Sequence, residues 1–99
     1  MKHFILIYEV IENYVERRVP HRAEHIALAG AAKERGDLFL AGAFASPVDG
    51  AMLIFQGETA AAAEAFAHAD PYVKHGLVTN WRVREWTTVV GDASTVVLP

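Results

Sequence analysis

The chain passes through six segments in the order strand, helix, strand, strand, helix, strand, and that order constrains its fold more than any other feature. Residues 3–10 (HFILIYEV) are aromatic and β-branched with polar flanks, which predicts a strand. Residues 11–18 are polar and mixed, and read as a loop. Val19-Pro20 opens a helix, because proline's fixed φ and missing N–H suit a first turn. His21 to Arg35 is built from good helix formers, and Gly36 ends it as a left-handed cap. Residues 38–44 form a second strand, Ser46-Pro47-Val48-Asp49-Gly50 a turn, and residues 51–55 a third strand paired with the second as a hairpin. Thr59 is the N-cap expected for a helix over residues 60–68, and Asp70-Pro71 starts one further short turn. Residues 78–90 alternate in polarity and predict a long last strand, followed by a tail at 91–99.

A chain of 99 residues has the length of a single domain, taken here to span residues 1–99. This order in so short a chain predicts an α+β, ferredoxin-like βαββαβ fold, with both helices on one face of a four-stranded antiparallel sheet. The other face is the unusual one. Strand one puts Phe4, Leu6, Tyr8 and Val10 on one side and Ile5 and Ile7 on the other, and strands two and three are also apolar on both sides. An antiparallel sheet with one wet face alternates apolar and polar residues, and this one largely does not. A second copy packed on that face, as a two-fold homodimer, is the expected cover. A tail folded back over the sheet is the competing one, although 91–99 is short for the task.

Composition removes several classes of function. Nine basic residues against twelve acidic ones, net −3, form no basic stripe for a nucleic-acid backbone. With no cysteine there is no disulfide framework, thiolate metal site or thiol nucleophile. The apolar run Phe4–Tyr8 is too short for a membrane span and lacks a signal-peptide cleavage pattern. The expectation is a soluble cytoplasmic protein with no nucleic-acid or membrane partner.

Two groups of residues could carry chemistry. His21-Arg22-Ala23-Glu24-His25 fits H-x-x-E-H, with two imidazoles four apart on one helix face, but no third ligand stands in a comparable context. A solvated first helical turn explains the same pattern. The second group is Arg22-x-x-His25 with Asp70-Pro71-Tyr72. Arg22 and His25 project from the same side of their helix. Imidazole is the side chain that exchanges a proton near neutrality, and a facing carboxylate would set its tautomer and stabilise the imidazolium. Arg22 would favour an anionic substrate or enolate-like intermediate. Asp70 ahead of Pro71 is equally an N-cap, and the two roles are compatible if one oxygen caps while the other faces His25. Tyr8 and Tyr14 could line a pocket at the end of strand one or serve as core and loop residues, Tyr72 could pack the turn, and Ser46 offers a hydroxyl near the strand ends. Trp81 and Trp86, an odd number of residues apart, point to opposite faces as core and interface anchors.

Arg22-x-x-His25, Gly36-x-Leu38 with Ala41-Gly42, and above all Ala69-Asp70-Pro71-Tyr72-Val73 followed by Gly76 resemble the YciI-like (YCII-related) family, from the first strand to Trp86. The resemblance implies a ferredoxin-like fold that dimerises through its sheets into an α/β barrel, and a pocket around His25 and Asp70. One enzymatic branch of the family is similar to a dehydrochlorinase of a chlorinated hydroxyquinol, and the wider superfamily includes lactone isomerases and monooxygenases. The expectation is a small-molecule enzyme without metal or organic cofactor, a lyase or isomerase. In it His25 and Asp70 are catalytic, and Arg22, Tyr72, Ser46 and Tyr8 contact substrate. The alternative is a non-catalytic metabolite-binding or interaction module using the same pocket.

Overall fold

A computed structural model describes residues 1–96. The elements are β1 (Lys2–Val10), α1 (Tyr14–Arg17), α2 (Arg22–Glu34), β2 (Leu38–Ala43), β3 (Gly50–Gly57), α3 (Ala61–Ala69), α4 (Pro71–Lys74) and β4 (Val78–Trp86). The strands form one antiparallel sheet in the order β2-β3-β1-β4, the ferredoxin-like arrangement. Each helical crossover spans an intervening strand, so the two central strands are the most buried.

Local chemistry sets most boundaries. Gly36 adopts φ 84°, where only glycine is unstrained, and its N–H bonds the Lys33 carbonyl while that of Asp37 bonds Ala32. These two bonds satisfy carbonyls that the end of α2 would otherwise leave orphaned. At the other junction Pro71 cannot continue α3, and it forces the residue before it out of the helical region. Asp70 accordingly sits extended at φ −69°, ψ 123°, which frees its side chain to cap α4. Gly50 opens β3 where a Cβ would lie 3.0 Å from both the Phe44 ring and the Tyr8 carbonyl, too close for any other residue without movement.

Three expectations need correction. Residues 11–18 are not simply a loop, since 14–17 wind into one helical turn between Ile11, whose N–H bonds the Leu77 carbonyl, and a 3-10 turn at Val19–His21. The last strand ends at Trp86, not Val90, because β1, its neighbour in the sheet, begins at Lys2 and runs out of partners. The helix expected from residue 60 begins at Ala61, where Thr59 Oγ1 accepts the Ala61 N–H at 3.2 Å.

Leu6 and Tyr8 of β1, Leu53 and Phe55 of β3 and Leu38 of β2 point to the helical face and pack with Ala32, Ala63, Phe66 and Ala67, and Phe4 is buried on the same face. The opposite face carries Ile5, Ile7, Met52 and Ile54, with Arg84 and Arg82 in register beside the two β1 isoleucines. A bulge in β2 sets both Phe39 and Leu40 against Ile54. Phe39, Leu40 and Trp86 on this face remain 49%, 62% and 45% exposed. The described part of the tail reaches one end of the face: Thr88 Oγ1 bonds His3 Nδ1 at 2.8 Å, and residues 90–94 border a hollow of about 520 Å³ with Phe39, Ile54 and Trp86. The rest of the expected tail, 97–99, lies outside the described residues. Trp81 and Trp86 do fall on opposite faces, across from Tyr8 and His3 respectively. Among the described residues no helix is long and apolar enough to cross a membrane.

Candidate active site

Between α1, α2 and α4 on one side and β2, β3 and β1 on the other lies a cavity of about 310 Å³. β2 and the start of β3 offer it only the small side chains of Ala41, Ala43 and Ala51 on the face toward the helices. That volume is at the low end of the ~300–1,000 Å³ usual for small-molecule sites. Tyr8, Tyr14, Arg18, Arg22, His25 and Tyr72 supply its polar groups.

Asp70 is wholly buried below this cavity. Its Oδ1 accepts the backbone N–H of Tyr72 at 3.0 Å and the His25 Nδ1–H at 2.9 Å, while its Oδ2 accepts the Tyr8 hydroxyl at 2.7 Å. An unpaired carboxylate would be very costly at such depth; three donors, two of them side chains, compensate it. All three are donors to an acceptor, the pattern an ionised carboxylate requires. The sequence reading divided the work differently, one oxygen for the cap and the other for His25. In the structure Oδ1 does both, and Oδ2 belongs to Tyr8.

Holding Nδ1–H against Asp70 assigns the remaining lone pair of His25 to Nε2, which has no protein partner among the described residues. The ring's orientation is set by packing as well. It lies parallel to Tyr72 at 3.9 Å and 7°, and meets Phe66 edge-on at 6.1 Å and 81°. The His25 side chain is 15% exposed and lines the cavity.

The tyrosines serve as neutral groups. Burial, followed by the Asp70 charge, pushes the Tyr8 hydroxyl far above the ordinary 10.0. Burial raises Tyr14 and Tyr72 too, with the neighbouring guanidinium groups of Arg18 and Arg22 pulling the other way. Tyr14 meets Tyr72 edge-on at 5.7 Å, and the Arg18 guanidinium sits 5.1 Å from the centre of the Tyr14 ring.

Of the residues singled out from sequence, Arg22, His25, Tyr72 and Tyr8 converge here with Asp70. Ser46 does not: it is exposed in the β2–β3 hairpin, outside the cavity lining. His21 and His25 turn to different partners, His21 stacking on His75 at 4.1 Å, so the H-x-x-E-H spacing does not converge on one point. Among the described residues no three His, Cys, Asp or Glu side chains gather as metal ligands. Arg18 falls outside the candidates the sequence offers because residues 11–18 read as loop. The helical turn at 14–17 is what carries it to the cavity, and the paired arginines at 17 and 18 were the available signal.

Known proteins place this arrangement in context. The 5-chloro-2-hydroxyhydroquinone dehydrochlorinase of Burkholderia phenoliruptrix, solved with 2,5-dihydroxybenzoquinone, superposes with a TM-score of 0.73 at 20% identity, over 88% of this chain and 95% of that one. It belongs to the dimeric α/β-barrel superfamily. Protein Atu4242 of Agrobacterium tumefaciens matches at TM-score 0.55 and 13% identity, over 98% of this chain and 100% of that one. An antibiotic biosynthesis monooxygenase-like protein of Deinococcus radiodurans gives 0.55 and 15%, over 98% and 99%. No curated protein matches the chain. At these identities the structures establish a shared fold. The YCII-related domain, by contrast, matches the sequence itself over residues 1–87, from the start of the chain through β4, and the chain belongs to that family.

Proposed function

We propose that the chain is a small-molecule enzyme of proton transfer, catalysing an elimination or isomerisation with His25 as general acid/base and Asp70 as its positioning residue. One observation carries the reading: an imidazole bonded through Nδ1 to a fully buried carboxylate, with Nε2 left free at the wall of a cavity. Nε2 takes a proton from a carbon or hydroxyl made acidic by a neighbouring carbonyl, and Asp70 stabilises the imidazolium that results. The negative charge left on the substrate faces Arg22. In an isomerisation His25 returns the proton to another atom of the same molecule. In an elimination the electron pair forms a new double bond, a group such as chloride departs with its bonding pair, and the proton passes from His25 to water. General acid–base assistance is worth ~10²–10⁴-fold, so positioning in the cavity supplies part of the rate.

The fold shared with the hydroxyquinol dehydrochlorinase makes 5-chloro-2-hydroxyhydroquinone the first substrate to try, followed by small phenols and lactones. Expected are chloride release by the native chain and its loss in His25→Ala and Asp70→Asn with circular dichroism unchanged. Turnover that survives His25→Ala refutes the assignment. Ligand affinity in the native chain with no turnover of any of these compounds would make the cavity a metabolite-binding site.

Two copies pairing through the open sheet face belong to the same proposal. Phe39, Leu40 and Trp86 form the exposed apolar part of that face, and contiguous patches of this kind mark interfaces.

A further inference from the structure

The cavity holds more positive charge than proton transfer requires. Arg18 and Arg22 both line it, and among the described residues neither has a carboxylate within salt-bridge distance. Its one nearby acid, Asp70, already accepts three hydrogen bonds from other groups. This occurs in a chain whose net charge is −3, so the local excess does not follow from composition. A second observation is independent of the charges. Tyr72 is 1% exposed and lines the same cavity, yet its hydroxyl is buried without a hydrogen-bond partner in the described residues. Buried hydroxyls are nearly always paired, and one left open beside two guanidinium groups without carboxylate partners is a donor awaiting an acceptor. Arg18 is also pre-positioned, its guanidinium held 5.1 Å from the centre of the Tyr14 ring.

We infer that Arg18, Arg22 and the Tyr72 hydroxyl form an oxyanion subsite, and that the ligand enters carrying a planar anionic group such as a carboxylate. Arg18 and Arg22, on different elements, then share a charge present from the moment of binding, and Arg22 also faces the charge that proton transfer leaves on the substrate. The stack of Tyr72 on His25 sets this subsite beside the proton-transfer group, so the anion orients the rest of the molecule toward Nε2. The inference rests on the cavity being the ligand site of the proposed function; it does not require His25 to turn anything over.

Benzoate and benzamide, equal in shape and different in charge, test it by calorimetric titration. Benzoate is expected to bind at least about tenfold more tightly than benzamide, the least that a charge-assisted hydrogen bond contributes. Arg18→Gln and Arg22→Gln, both near the surface, should each weaken benzoate by about tenfold and leave benzamide unchanged. Tyr72→Phe keeps the ring on His25 and removes only the hydroxyl. It should weaken benzoate while raising the Tm of the unliganded chain, a pair of effects that a structural role for the hydroxyl would not produce. Equal affinity for the two compounds, no binding of either, or unchanged benzoate affinity in Tyr72→Phe overturns the subsite. His25→Gln separates the two proposals. If it still binds benzoate as the native chain does, the subsite stands whatever the turnover assays return, and if it abolishes benzoate binding while the arginine variants do not, the anion sits on His25 and the subsite falls.

Discussion

The chain has three tyrosines, and all of them, Tyr8, Tyr14 and Tyr72, are buried in one cluster beside the cavity. Each is held above the ordinary value of 10.0, so high pH attacks the fold at the site itself. An unfolded tyrosine releases its proton near that value; a folded one here does not. The unfolded state therefore binds fewer protons above pH 10, and stability that is complete below it declines as pH rises further. Each affected tyrosine contributes a slope of about 1.4 kcal/mol per pH unit. Tyr8 alone gives that slope, because the nearest charge, Asp70, opposes its ionisation as burial does. Tyr14 and Tyr72 add to it in the same direction, less whatever Arg18 and Arg22 restore to them. For a domain at the lower end of the ~5–15 kcal/mol typical of proteins, Tyr8 by itself brings unfolding only at pH well above 10, and any help from Tyr14 and Tyr72 brings it lower. Tyrosinate absorbance recorded beside far-ultraviolet circular dichroism distinguishes these cases. The expected trace is flat through pH 10, then rises together with loss of the dichroism signal. A tyrosinate band growing in at its ordinary position while the dichroism stays native would mean the hydroxyls reach water, and the buried cluster around Asp70 would be refuted.

Removing the Tyr8 hydroxyl leaves Asp70 Oδ2 buried without a donor, so Tyr8→Phe should cost about 1.5–3 kcal/mol. In a domain this size that is a fall in Tm of about 6–24 °C by calorimetry, the opposite sign to Tyr72→Phe although the chemical change is the same. On the open sheet face, Leu40→Glu places a charge at a residue 62% exposed, where the fold of a single chain should not suffer. If that face joins two copies, sedimentation should show dimers in the native chain and monomers in the variant; a native monomer removes the interface.

Much of this protein is local chemistry, and local chemistry can be read from sequence. The element order, the end of α2 at Gly36, the turn at residues 46–50 and the capping use of Asp70 before Pro71 each depend on residues within a few positions of one another. The same holds for the two faces taken by Trp81 and Trp86, which follow from strand alternation. The pairing of His25 with Asp70 was reachable only as a candidate, supported by resemblance, because forty-five positions separate the two residues. Nothing local distinguishes an N-cap that is only a cap from one that also binds an imidazole.

What the sequence alone determined is therefore the strand–helix grammar, the two apolar faces of the sheet and the residue types available for chemistry. Tertiary structure decided how they were used. Tertiary packing brought Tyr8 of β1 to the cap of α4, where it claimed the second oxygen of Asp70 and left the first to serve both cap and imidazole. It wound residues 14–17 into a turn that delivers Arg18 to the cavity, and it left Ser46 outside. It also ended β4 at Trp86 for want of a neighbour. The physical reason is common to all of these. Hydrogen-bond partners and burial are fixed by which distant segments come into contact, and a carboxylate taken out of water must find its donors wherever the fold supplies them.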